Sequence, residues 1–80
     1  MHSEQVFITV KKVALEVLPF LSPNDISMEK SLKDLGANSI DRMDVVTQSM
    51  EALGIVVPMM EFGNVKNLGG LVDVLVKHTN

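Results

Sequence analysis

Leu68, Leu71, Val72, Leu75 and Val76 recur at i, i+3, i+4, i+7 and i+8. That spacing gathers apolar side chains on one face of an α-helix, whereas a strand would send alternate residues to opposite faces. The same period governs the start of the chain. Val6, Val10, Val13 and Val17 lie at i, i+4, i+7 and i+11, flanked by Phe7, Ala14 and Leu18. β-Branched residues are frequent there and make a strand the rival reading, but a 3.6 period held from Ser3 to Leu18 decides for helix. Pro19 stops it, having no N–H to donate and disfavouring helical geometry at Leu18. A third amphipathic stretch starts at Ser39, with Asn38 as N-cap and Asp41 three residues on as the acid of a capping-box motif. Gly54 closes it. Val45, Val46 and Leu53 are expected to face the core, with Ala52 on the same apolar side. Asp41, Asp44, Gln48 and Glu51 form a polar stripe.

The connections carry their own signals. Phe20 to Asn38 is a long first loop. Ser22-Pro23-Asn24-Asp25 is turn chemistry. Ile26, Met28, Leu32 and Leu35 can drop apolar anchors onto a core. Ser31 and Asp34 have capping-box spacing, which predicts one helical turn before Gly36. Ile55-Val56-Val57 is extended and runs into Pro58. Met59 to Phe62 is a short helical turn stopped by Gly63-Asn64. The last helix starts near Asn67, its N-cap, and ends at Lys77 and His78, where positive charge suits the dipole. Gly69 and Gly70 weaken its first turn by about 1 kcal/mol each relative to alanine. The predicted fold is all-α: a small four-helix bundle of three main helices, one short helix and a long first loop, with residues 1–80 as a single domain.

Composition narrows function. A chain of 80 residues buries only about 60–65% of its unfolded surface, enough for one small core and too little for a deep catalytic pocket. The formal charge is −3, and the seven Lys and Arg are scattered, which argues against nucleic-acid binding. No apolar run is long enough to span a membrane. Met1-His2-Ser3-Glu4-Gln5 lacks the basic-then-apolar pattern of a secretory signal, so a cytoplasmic location is expected. There is no cysteine, which fits a reducing compartment. Six methionines suggest adaptable packing or an adaptable contact surface.

The chemistry-bearing segment is Leu35-Gly36-Ala37-Asn38-Ser39-Ile40-Asp41-Arg42-Met43. A serine at a helix start is usually a cap. Here Asn38 already caps, so Ser39 is free to present its hydroxyl outward at the electropositive end of the helix, where an anionic group is favoured. A self-acting nucleophile would need a base within hydrogen-bond reach and a third group to orient it. His2 and His78 lie at opposite chain ends, Asp41 offers only a poor base, and no Gly-x-Ser-x-Gly elbow is present. Neither histidine makes a ligand spacing for a metal, and Asn24-Asp25 lacks the alternating acids of a calcium loop. Ser39 therefore reads as a hydroxyl that another enzyme activates.

Gly36-Ala37-Asn38-Ser39-Ile40-Asp41 resembles the attachment motif of acyl carrier proteins. The long loop before it, Leu53-Gly54-Ile55 after the second helix, and the interval to Pro58 agree with that family. The resemblance implies that Ser39 accepts 4′-phosphopantetheine from coenzyme A through a Mg²⁺-dependent phosphopantetheinyl transferase, and that the protein is a carrier rather than an enzyme. It also implies partner recognition by Ile40, Asp41, Arg42, Met43 and Asp44, and an acyl groove bordered by Phe62 and Val65. Three departures stand out. Asn38 replaces the family's common Asp, Arg42 puts a cation in the first turn of the helix where the dipole disfavours it, and Met59 and Met60 stand where many fatty-acid carriers have acids.

Gly-Ala-Asn-Ser-Ile-Asp-Arg further resembles the free-standing donor carriers of polyketide β-branching cassettes. That likeness implies an acetyl group made by decarboxylating a malonyl group, delivered to an HMG-CoA-synthase-like enzyme. An acyltransferase and a decarboxylating ketosynthase-like enzyme would be further partners, and the carrier itself would be monomeric. The apolar arc of the second helix is wider than one core-facing stripe requires. Ile40, Met43 and Met50 lie at its edge, either packed on the long loop or exposed as a docking patch flanked by Arg42 and Asp44. The alternatives are a general fatty-acid or polyketide carrier, and a helical interaction domain with no prosthetic group.

Overall fold

The computed structural model describes residues 2–79. Three α-helices carry the architecture: α1 (Ser3–Val17), α2 (Ser39–Leu53) and α3 (Leu68–Lys77). Short 3-10 helices occupy Pro23–Asp25 and Met59–Phe62. No strand occurs among the described residues. The bundle expected from the sequence is the one observed, with one addition: the Ser22–Asp25 turn closes into a 3-10 turn, held by the Ser22 N–H and hydroxyl both donating to Asp25 Oδ2 at 2.9 and 3.0 Å.

Each boundary has a local cause. Leu18 leaves helical geometry at φ −120°, ψ 73°, as the residue before a proline should. Gly54 takes a left-handed conformation at φ +69°, and the Ile55 N–H reaches back to the Met50 carbonyl at 3.0 Å, closing the α2 C-terminus as a Schellman motif does. Ser31 and Asp34 form the expected box, with Asp34 N–H donating to Ser31 Oγ at 2.9 Å and Ser31 N–H to Asp34 Oδ2 at 3.2 Å. Gly36 then ends that turn at φ +94°.

Both α2 and α3 pack against α1. Val6, Val10, Val13 and Ala14 of α1 meet Leu68, Leu71, Val72 and Leu75 of α3 in one cluster, into which the long loop inserts Ile26, Leu32, Leu35 and Ala37. The loop anchors thus behave as their spacing predicts, except that Met28 is only half-buried. Val45, Val46 and Leu53 of α2 face the core as expected, and the correction there concerns Ala52. Val46 and Leu53 are half-buried and Ala52 is exposed; the residues of α2 that are fully buried are Val45 and Ser49. Four residues apart, these two form the centre of the core stripe, with Val46, Met50 and Leu53 packed at its sides.

The first turn of α3 is laced to the long loop. Leu68 N–H donates to the Lys30 carbonyl at 2.9 Å and Gly69 N–H to the Met28 carbonyl at 2.8 Å. Gly70 N–H donates to Asn67 Oδ1 at 2.8 Å. Three donors that a helix start leaves unpaired are thereby satisfied. A Cβ at Gly69 would stand 3.3 Å from the Met28 carbonyl oxygen, so the weak helix former there allows the close approach of the loop.

Candidate functional site

Ser39 is the first residue of α2, and it is exposed. Its position is fixed from both sides by Asn38. Asn38 Oδ1 accepts the Asp41 N–H at 2.8 Å, and Asn38 N–H donates to Asp41 Oδ2 at 3.2 Å. This reciprocal box releases the serine from capping. The hydroxyl has one hydrogen-bond partner: Arg42 Nη2 donates to Ser39 Oγ at 3.2 Å. A guanidinium is a donor only and cannot take a proton from the serine. His78 is occupied elsewhere, its Nε2 lying 2.9 Å from Glu61 Oε1. No three His, Asp or Glu side chains group as a metal site among the described residues. The arrangement presents a hydroxyl without a base, next to a positive charge and a helix N-terminus.

Ser39 stands on the edge of an open groove of about 410 Å³. Met43 and Val46 of α2, Met59 and Phe62 of the second 3-10 helix, Val65 and Leu68 form its apolar wall. Ser31, Lys33 and Lys66 lie on it as well. Of the residues singled out in the sequence, the groove gathers Ser39, Arg42, Met43, Phe62 and Val65. Ile40, Asp41 and Asp44 do not line it. Ile40 is 72% and Met43 54% exposed, so these two are not buried under the long loop, whereas Met50 does pack against the core. The position of Arg42 also has a local reason now, since its side chain reaches back one turn to the serine. The contributions of Lys33 and Lys66 were missed. Their only sequence signal is that each adjoins a helix-start motif, Ser31–Asp34 and Asn67.

The family defined by a phosphopantetheine attachment site matches residues 9–75. The chain belongs to the acyl carrier proteins. The Bacillus subtilis (strain 168) polyketide biosynthesis acyl-carrier-protein AcpK is 36% identical to this carrier over 75 residues, spanning 94% of this chain and 92% of that protein. A chain in the crystal structure of the curacin biosynthetic pathway HMG synthase in complex with acetyl donor-ACP superposes with a TM-score of 0.88 at 34% identity, covering 96% of this carrier and 99% of that chain. The cofactor of the family is 4′-phosphopantetheine, and the residues present here fit it. An exposed hydroxyl at a helix N-terminus can bear a phosphodiester, the Arg42 guanidinium beside it could donate to such oxygens, and the groove alongside has room for part of a long arm.

Two carboxylates of the long loop are held ionised by its own serines. Asp34 lies below the usual carboxylate range, first because the Ser31 N–H donates to it and second because of the Ser31 hydroxyl, with Lys33 and Lys30 nearby adding to the effect. Asp25 is lowered in the same way by the Ser22 N–H and hydroxyl. Both acids staple the long loop rather than serve the groove.

Proposed function

We propose that Ser39 carries the phosphopantetheine arm and that this carrier serves polyketide β-branching, delivering an acetyl group to an HMG-CoA-synthase-like enzyme. The observation that carries the reading is the exposed Ser39 hydroxyl at the start of α2, beside a groove and free of any base. The likeness to AcpK and to the chain crystallised with an HMG synthase supports the pathway and the partner. When bound, the arm supplies a terminal thiol on which an acyl group is held as a thioester. The N-terminus of α2 and Arg42 would hold the phosphodiester end, and the Asn38–Asp41 box fixes that helix end. Ile40 and Met43 form an exposed apolar patch, with Asp41, Arg42 and Asp44 as charged neighbours, for the partner enzyme to cover.

Phosphopantetheinyl transferase, coenzyme A and Mg²⁺ should add one phosphopantetheine to the wild type by intact mass and none to Ser39→Ala. A Ser39→Ala protein that still gains the arm overturns the attachment site. With loading verified, acetyl and malonyl forms are offered to an HMG-synthase-like enzyme. Acetyl transfer that slows in Met43→Ala and Arg42→Glu, with the circular dichroism unchanged, supports the docking patch; unchanged kinetics in both remove it. Equal activity with a fatty-acid ketosynthase, and none with the HMG-synthase-like enzyme, would favour a general carrier instead.

A further inference from the structure

The charge on the groove opposes the charge of the chain. The protein has ten Asp and Glu against seven Lys and Arg, yet Lys33, Arg42 and Lys66 line the groove and no acid does. Arg42 is engaged at Ser39 Oγ and serves the attachment point. Lys33 and Lys66 are exposed, and neither forms an ion pair within 4 Å among the described residues. The nearest acid to Lys33 in sequence, Asp34, accepts the Ser31 N–H and feels Lys33 only as a weaker, longer-range charge. Asn67 adds a further polar group, its Oδ1 accepting the Gly70 N–H and its NH₂ available as a donor. The groove therefore combines an apolar wall with three cationic side chains and no carboxylate, at a volume in the small-ligand range of about 300–1,000 Å³.

We propose that this groove binds a short acyl group that ends in a carboxylate, a malonyl-type cargo, with Lys33 and Lys66 holding the carboxylate and the apolar wall covering the carbons. The proposal rests on the reading that Ser39 bears the arm. It gives the groove a direction. When the cargo is decarboxylated, the C–C bond to the carboxylate breaks, CO₂ leaves and one proton joins the α-carbon. The acetyl group that remains has no charge for Lys33 and Lys66 to hold. The groove keeps the carboxylated form and releases the neutral one to solvent, where the acceptor enzyme can take it. An exposed ion pair changes an equilibrium by up to about fivefold, so each lysine contributes a modest share and the pair gives a measurable preference.

The test uses the full chain, loaded with non-hydrolysable amide analogues of malonyl- and acetyl-pantetheine and with the bare arm, each verified by intact mass. Backbone amide shifts are then compared by NMR. Amides of Lys33, Val46, Val65, Lys66 and Leu71 should shift in the malonyl form beyond the acetyl and bare-arm forms. The excess should vanish in the Lys33→Gln/Lys66→Gln variant and at 1 M NaCl, where the Debye length falls to about 3 Å. Identical spectra for malonyl and acetyl forms overturn the inference, as does a malonyl excess that survives in the double variant. Shifts at Lys33 and Lys66 already complete with the bare arm assign these cations to the phosphodiester and overturn it too. Failure of the wild type to load would instead end the Ser39 reading.

Discussion

Helices α2 and α3 bury different shares of their length. α3 has ten residues and buries Leu68, Leu71, Val72 and Leu75; α2 has fifteen and buries only Val45 and Ser49. The shorter helix is fixed by packing and by loop carbonyls on its first turn. The longer one packs on α1 with a mostly half-buried face, Val46, Met50 and Leu53 beside Val45, is closed at its ends by the Asn38–Asp41 box and the left-handed Gly54, and leaves Ile40 and Met43 outside. That division suits the proposed docking patch, since one helix anchors the fold while the other keeps apolar side chains at the surface.

The sharpest way to break the comparison is truncation on each helix. Leu75→Ala, at a fully buried α3 position, should lose about 2–5 kcal/mol, read as a lower urea midpoint. Met43→Ala on α2 should change stability by less than about 0.5 kcal/mol. Equal losses would mean that α2 contributes as much to the core as α3. The caps come next. Asn38→Ala should lose about 1 kcal/mol by thermal melting and loosen the helix start that positions Ser39, measurable as faster amide exchange at Asp41.

Ser49 tests the α2 core from the other side. Its hydroxyl is buried and has no hydrogen-bond partner, an arrangement that costs about 1–3 kcal/mol. Ser49→Ala should therefore raise stability by about 1 kcal/mol, and a lower melting temperature would show that a partner for the hydroxyl exists in solution. The smallest effect concerns the loop. Asp25 and Asp34 have folded values below their ordinary 3.8. Their stabilisation is complete above the unfolded value, near pH 4, and is lost as pH falls through the folded values. Asp34→Asn should thus lose less stability than the wild type between pH 5 and pH 3 in urea titrations, with no difference in slope above pH 5.

Much of this was legible in the sequence because it is local. Asn38, Gly54, Asn67 and the Ser31–Asp34 box each act within a few residues, and a 3.6 period is visible in any window long enough to hold α1 or α3. The same local logic exposed Ser39, since a residue just after a cap has nothing to cap. What escaped was set by partners far along the chain. Ser49 is polar, and only the rotation of α2 against α1 decides that it, and not Val46 or Leu53, is fully enclosed. Gly69 looked like a weak point because its partner, the Met28 carbonyl, lies forty-one positions away. Lys33 and Lys66 are ordinary surface lysines until the fold places them on one groove with Ser39.

The lacing of α3 to the Met28 and Lys30 carbonyls also ties the two sides of the groove together. Ser31, Leu32 and Leu68 line the same hollow, and the backbone that carries them is joined at Leu68 and Gly69. Two hydrogen bonds act there as a latch, so the hollow beside Ser39 is deepened only by parting the long loop from α3.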